Sequence, residues 1–140
     1  MPEMSRKRPG TMRLLDATGY RLPPAGVVSI LHRVSGGLMF VMLPFLIWLF
    51  DVSVTSEVTF ETFRSTFNSG IGFVPAWAVK LVVWALIWSF LHHAIAGIRH
   101  LWMDATHSVS KQQGHNSALI TLGLSVLLTL ALGLKLFGWV

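Results

Sequence analysis

The fold is decided by residues 74–103, which read VPAWAVKLVVWALIWSFLHHAIAGIRHLWM. This stretch is longer than the roughly 20 apolar residues that an α-helix needs to cross a hydrocarbon core of about 30 Å. Two further apolar stretches, residues 27–50 and 118–140, are also long enough to cross. The sequence therefore predicts an all-α membrane protein with three transmembrane helices, in which residues 1–140 form a single membrane domain.

The composition agrees with lipid as the main solvent of this chain. Hydrophobic residues make up 53% of the 140 residues, charged residues only 12%, and the mean hydropathy is +0.62. A soluble domain carries about twice that share of charged residues. The chain contains no cysteine, which excludes disulfides, thiolate metal sites, iron–sulfur clusters and cofactors attached through thioethers. Any redox centre held by this chain must be bound through histidine or methionine.

The polar segments predict how the chain is oriented. Residues 1–26 form an arm with five basic and two acidic residues, whereas the loop of residues 51–73 has three acidic residues and one arginine. The positive-inside rule then puts the N-terminus in the cytoplasm and the C-terminus outside. Pro44 predicts a kink in the first helix, and Asn116 or Ser117 is the predicted N-cap of the third.

A polar stripe runs along the second helix. At 100° per residue, one face carries Ser89, His93, Gly97, His100 and Asp104. Such a face must meet protein or a cofactor rather than lipid. A neutral imidazole at the depth of His93 suits a metal held in a large apolar ring, and Gly97 would let a flat macrocycle lie close to the backbone. The alternative is a histidine that is hydrogen-bonded to a neighbouring helix.

A zinc site fits this stripe less well. His93 and His100 stand about 10 Å apart along the helix axis, too far to share one small ion. A second possible set is His100, Asp104 and His107, which would share a face if the helix continued. Polar residues at a helix end are more often simply solvated.

A second polar motif, SILHRVSGG, occupies residues 29–37 in the first helix. Ser29 and Arg33 are separated by one turn, so a hydroxyl and a guanidinium converge on one small area. Together they could hold an apolar ring that carries carbonyl oxygens, and His32 could relay protons. The alternative is an arginine that extends to the lipid headgroups.

Residues 29–36 together with residues 93–104, HAIAGIRHLWMD, resemble the cytochrome b-type membrane anchor subunit of bacterial succinate dehydrogenase. The resemblance covers nearly the whole chain. It implies one half of a heterodimeric helix bundle in the bacterial inner membrane, which binds haem b and ubiquinone. The implied partners are a second small anchor subunit, an iron–sulfur subunit, a flavoprotein subunit and the lipid membrane, and no nucleic acid is expected.

The same resemblance assigns roles to single residues. His93 corresponds to an axial haem ligand, and the second ligand would come from the other anchor subunit. Ser29 and Arg33 correspond to the ubiquinone pocket. The positions that surround the haem propionates in this family are held here by His32, Arg33, Arg99 and His100.

Three alternatives remain open at this stage. The chain could be the anchor subunit of a fumarate reductase, which runs the reaction backwards. It could be a structural anchor without haem, or a small transporter whose stripe lines a pathway.

One departure from the family pattern is the run Arg8-Pro9-Gly10, where many relatives read Arg-Pro-Leu, and this leaves the docking of the N-terminal arm open.

Overall fold

The computed structural model describes residues 19–107 and 110–138, and most of the predicted basic arm lies outside them. Within these ranges all regular structure is helical, apart from one isolated bridge between Ile71 and Val74. The helices are α1 (Pro24–Val41), α2 (Leu43–Val54), α3 (Glu57–Asn68), α4 (Ala76–Thr106) and α5 (Lys111–Leu136). By length and composition, α1, α4 and α5 could each span a membrane. The predicted all-α fold with three spanning helices is confirmed.

The first apolar stretch is broken where the sequence predicts a kink. Helix α1 ends at Val41, and α2 begins at Leu43 with Pro44 in its first turn. A proline has no backbone N–H to donate to the preceding turn, and its ring crowds the carbonyl four residues earlier. The backbone N–H groups of Met42 and Leu46 still reach back four residues, to Leu38 and Met42. The two helices therefore form one bent rod.

The predicted loop of residues 51–73 contains an additional helix that the sequence analysis missed. Ser56 caps α3 by accepting a hydrogen bond from the backbone N–H of Thr59, whose side chain accepts in return from the backbone of Ser56. Such a reciprocal pair stabilises the first turn of a helix. Three phenylalanine rings of this helix contact one another: Phe60 stacks on Phe63, and Phe63 meets Phe67 edge to face. In the sequence, the start of α3 is indicated by the Ser-x-x-Thr spacing of Ser56 and Thr59, but this polar segment was predicted as loop.

The ends of α4 and α5 also differ from the prediction. Helix α4 runs on to Thr106 and stops at His107, whose φ of 53° is left-handed. Helix α5 begins at Lys111 because Ser110 and Gln113 form a capping box. The predicted cap at Asn116 or Ser117 was therefore wrong. The sequence predicted the first turns of α5 as loop because they are polar. Hydropathy marks only the apolar part of a helix that lies in lipid, and a helix can begin before that part.

Helix α5 packs on α4 through a row of small residues. The buried residues of α5 recur every three or four positions: Ala118, Thr121, Ser125, Thr129 and Gly133. Small side chains let two membrane helices approach closely. The indole Nε1 of Trp84 donates to the carbonyl of Thr129 at 2.9 Å. Gly133 leaves room for this indole, because a β-carbon there would stand 2.5 Å from Nε1.

His92 joins the helices at the middle of the bundle. It is fully buried, its Nδ1 lies 3.1 Å from Oγ of Ser125, and its ring stacks on Trp88. The backbone carbonyl of Val28 on α1 is a polar neighbour of the imidazole, although Nε2 forms no hydrogen bond within the described residues. Val28 also packs with Ala96 and Ala118 in a small fully buried core. His92 is thus a core residue of this chain.

The close approach at Gly133 can be tested with a matched pair of variants. Gly133→Val should destabilise the contact between α4 and α5 by about 1–3 kcal/mol, because the new side chain must displace the Trp84 indole. Gly123→Val, on the same helix with open space around it, should leave stability almost unchanged. The measurement is the free energy of unfolding in mixed detergent micelles, followed by tryptophan fluorescence. Equal losses in both variants would contradict the packing described here.

Candidate functional site

The two polar motifs meet at the interface between α1 and α4. The ring of His32 stacks on that of His93 with centroids 4.1 Å apart, and it lies 5.4 Å from the ring of His100. The polar stripe of α4 therefore faces α1 rather than open lipid. We call His32, His93 and His100 the histidine cluster. It unites three of the six residues that the sequence singled out.

The imidazole of His93 is held by the backbone of α1. Its Nδ1 lies 3.0 Å from the carbonyl oxygen of His32 and 3.4 Å from Oγ of Ser35. A carbonyl oxygen only accepts hydrogen bonds, so in the neutral ring the proton sits on Nδ1. Nε2 then carries a lone pair, and it forms no hydrogen bond within the described part of the chain. This arrangement is typical of a metal-ligating histidine, whose other nitrogen donates to a carbonyl or carboxylate.

Gly36 makes room for that ring. A β-carbon at position 36 would stand 2.9 Å from Cε1 and 3.2 Å from Nδ1 of His93, whereas Gly37 has open space around it. The sequence analysis missed Ser35 and Gly36 as site residues. Their signal was the spacing of three and four residues from His32, which places them on the same helix face.

The space beside Gly97 holds a side chain of this chain, whereas the sequence predicted a flat macrocycle there. A β-carbon at this position would lie 3.7 Å from Nε2 of His32. The place that the sequence assigned to a flat macrocycle is thus taken by an imidazole of the same chain. Gly97 allows α1 and α4 to approach closely.

Ser29 and Arg33 lie beside the histidine cluster on α1. Ser29 is half-buried and Arg33 is exposed. Among the residues that the structure describes, neither side chain forms a hydrogen bond or an ion pair. A hydroxyl and a guanidinium one turn apart, with all their donors unused, can bind the oxygen atoms of a ligand.

Arg99 is not brought to the histidine cluster. Its Nε donates to Oγ of Ser117 at 2.9 Å and its Nη2 to the carbonyl of Gly114 at 3.2 Å. Both partners belong to α5, which packs on another side of α4. A contact between Arg99 and a haem propionate stays a prediction without support from this geometry.

The alternative metal site at the end of α4 has no structural basis. Within residues 19–107 and 110–138, no group of three histidine or acidic side chains could hold a metal ion. Helix α4 stops before His107, so that residue does not continue the face of His100 and Asp104. The donor set instead fits a metal that is already held in a planar ring and needs one axial nitrogen from this chain.

Known proteins resemble this chain over most of its length. The family described as "Succinate dehydrogenase/Fumarate reductase transmembrane subunit" matches residues 4–132. The succinate dehydrogenase cytochrome b556 subunit of Coxiella burnetii is 34% identical over 116 residues, covering 82% of this chain and 85% of the relative. The b556 subunit of Paracoccus denitrificans is 29% identical over 109 residues, covering 78% of each.

A third relative is named as a cytochrome b560 subunit. The succinate dehydrogenase cytochrome b560 subunit of Reclinomonas americana is 30% identical over 115 residues, covering 81% of this chain and 77% of the relative. The region matched by the family, residues 4–132, includes α1, α4, most of α5 and the histidine cluster. The chain is a multi-pass membrane protein that belongs to the succinate dehydrogenase/fumarate reductase transmembrane subunit family.

Proposed function

We propose that this chain is the membrane subunit of a succinate dehydrogenase complex that carries haem b and helps to bind ubiquinone. The observation that carries the proposal is the hydrogen bond from Nδ1 of His93 to the carbonyl of His32, which leaves Nε2 as a ligand. Relatives of similar length are named cytochrome b subunits. When bound, a haem supplies a centre that accepts and releases one electron at a time.

The role of this chain toward the haem is to hold it from one side. His93 would provide one axial nitrogen, and a second small anchor subunit would provide the other. His32, Arg33 and His100 would surround the two propionates, which are carboxylates that need cationic or hydrogen-bonding partners. The carbonyl of His32 fixes the tautomer of His93, and the stacked His32 ring limits its rotation.

The role toward the quinone belongs to Ser29 and Arg33. A quinone has two carbonyl oxygens on an apolar ring, and it takes up two electrons and two protons to become a quinol. The hydroxyl of Ser29 would donate to one oxygen. The guanidinium of Arg33 would stabilise the negative charge that appears on the ring during reduction, an effect that is strong where water is scarce. His32 is placed to pass protons.

The electrons must come from partner subunits, because a chain without cysteine holds no iron–sulfur cluster. We propose a flavoprotein and an iron–sulfur subunit on the cytoplasmic side of a bacterial inner membrane, with the N-terminus on that side and the C-terminus in the periplasm. An anchor for fumarate reductase is the second candidate, because the matched family includes both enzymes. The names of the relatives favour succinate oxidation.

The haem assignment predicts the outcome of a pair of histidine variants. His93→Ala should abolish or greatly disturb the haem absorption of the purified complex while the chain still inserts, because Nε2 is lost. His92→Asn keeps a donor near Ser125 and should retain the spectrum. Both are measured as reduced-minus-oxidised spectra per mole of complex. An unchanged spectrum in His93→Ala would show that His93 does not bind the haem.

Neighbouring glycines provide a finer test of the same site. Gly36→Ala should force the His93 ring away from its place, an overpacking of about 1–3 kcal/mol, and so shift the haem spectrum and its reduction potential. Gly37→Ala adds the same methyl group into open space and should leave both quantities as they were. The measurement is a redox titration of the complex. Identical titrations for Gly36→Ala and the unmodified protein would show that His93 is not held at this contact.

The quinone assignment predicts a loss that is specific to one electron acceptor. Arg33→Leu removes a charged hydrogen bond of about 1.5–3 kcal/mol, so quinone reduction should fall by about 10- to 100-fold. Succinate oxidation by a soluble artificial dye, which takes electrons before the membrane, should change little. Arg64→Leu, at an exposed arginine paired with Glu61, serves as the control. If both reactions fell equally, Arg33 would matter for assembly rather than for quinone.

A further inference from the structure

A cleft of about 770 Å³ opens at the end of the bundle where α4 stops and α5 begins. We call it the end cleft. Its walls combine apolar groups from the start of α1 with basic groups from α4 and α5, chiefly Pro23, Pro24, Met103, Arg99, Lys111 and His115. Among the residues that the structure describes, no carboxylate lines the cleft. The cleft is separate from the histidine cluster, which lies between α1 and α4.

Arg99 brings a buried positive charge to the end cleft. Only 8% of its surface is exposed. Its two hydrogen bonds go to neutral groups, the hydroxyl of Ser117 and the carbonyl of Gly114. Within the described ranges the only salt bridge is the distant pair Arg64–Glu61. A charge in such surroundings is unfavourable unless an anion compensates it, and the remaining guanidinium N–H groups are available to bind one.

Lys111 adds to the same positive field, and His115 lies beside it. They stand four residues apart on α5, so their side chains share one face at the mouth of the cleft. Lys111 occupies the first turn of α5, where the helix dipole disfavours a positive charge. Helix stability therefore does not explain its position. An anion in the end cleft would be paired with Arg99 below and with Lys111 above.

The depth of Arg99 identifies the source of the anion. Helix α4 has 31 residues and is about 46 Å long, so it extends about 8 Å beyond each side of a hydrocarbon core of about 30 Å. Arg99 lies seven residues before Thr106, which is about 10 Å. It therefore sits at the boundary between acyl chains and headgroups, where lipid phosphates are found. A carboxylate of a soluble partner would have to reach down the cleft from outside.

We propose that the end cleft binds the phosphate of an anionic phospholipid, with Arg99 and Lys111 on the phosphate oxygens and the Pro23, Pro24 and Met103 side chains against the glycerol and upper acyl chain. Arginine suits this task because its N–H groups match a phosphate in pairs. The bound lipid would compensate the charge of Arg99 and fill the gap between α1 and α5. This proposal does not depend on haem or quinone.

The test uses the whole complex, purified and stripped of lipid by detergent. Phosphatidylglycerol and phosphatidylcholine are titrated separately, and the bound lipid is counted by native mass spectrometry. We expect phosphatidylglycerol to bind more tightly. The double variant Lys111→Gln, His115→Gln should weaken its binding by about ten-fold or more, and Arg99→Gln should do the same if it assembles. Lys135→Gln, at the other end of α5, is the matched control and should bind as before.

Several results would overturn the proposal. Equal binding of the two lipids would exclude a site for a negative headgroup. Equal weakening by Lys135→Gln would mean a diffuse effect of charge. Loss of a partner subunit from the double variant, with lipid binding unchanged, would assign the cleft to a protein carboxylate. If inorganic phosphate protected the stripped complex from heat and phosphatidylglycerol did not, the end cleft would be assigned to a free anion.

Discussion

The site depends on one hydrogen bond, from Nδ1 of His93 on α4 to the backbone carbonyl of His32 on α1. This bond decides the tautomer of His93, and therefore which nitrogen can bind a metal. It also ties the two helices together at the depth where the polar stripe begins. Because the acceptor is a main-chain oxygen, the contact is preserved whatever side chain stands at position 32. Two neighbouring residues support this contact: the hydroxyl of Ser35 donates to the same carbonyl, and Gly36, which has no side chain, leaves space for the ring.

Polar side chains on the helices of this bundle fall into two sets, those with partners in the chain and those without. His92 pairs with Ser125 and so holds α4 to α5, and the hydroxyl of Thr129 donates to the carbonyl of Ser125 within α5. Ser29 and Arg33 have no partner within the described residues. Polar groups in a membrane that find no protein partner are the ones expected to meet ligands. The contrast between these two sets supports a binding role for the second.

Much of this architecture could be predicted from the sequence, for identifiable reasons. Three long apolar stretches and Pro44 determine the spanning helices and the bend, since length and a missing donor act locally. The stripe that includes His93 predicted that this face of α4 meets protein or a cofactor, but not that it meets the second motif on α1. Helix α3 and the first turns of α5 were missed because their stability comes from capping by Ser56 and Ser110 rather than from hydropathy. The direction of Arg99 was not predictable, because it depends on where Ser117 and Gly114 lie after folding.

The adjacent histidines 92 and 93 have a mechanical consequence. Their side chains leave α4 about 100° apart, and one is bonded to α5 while the other is bonded to α1. A roll of α4 by only about 20° about its axis would carry each side-chain tip about 2 Å sideways, enough to break either bond. Together the two hydrogen bonds resist rotation of α4 about its axis. The direction in which the His93 ring leaves α4 is therefore fixed by contacts within the folded chain itself.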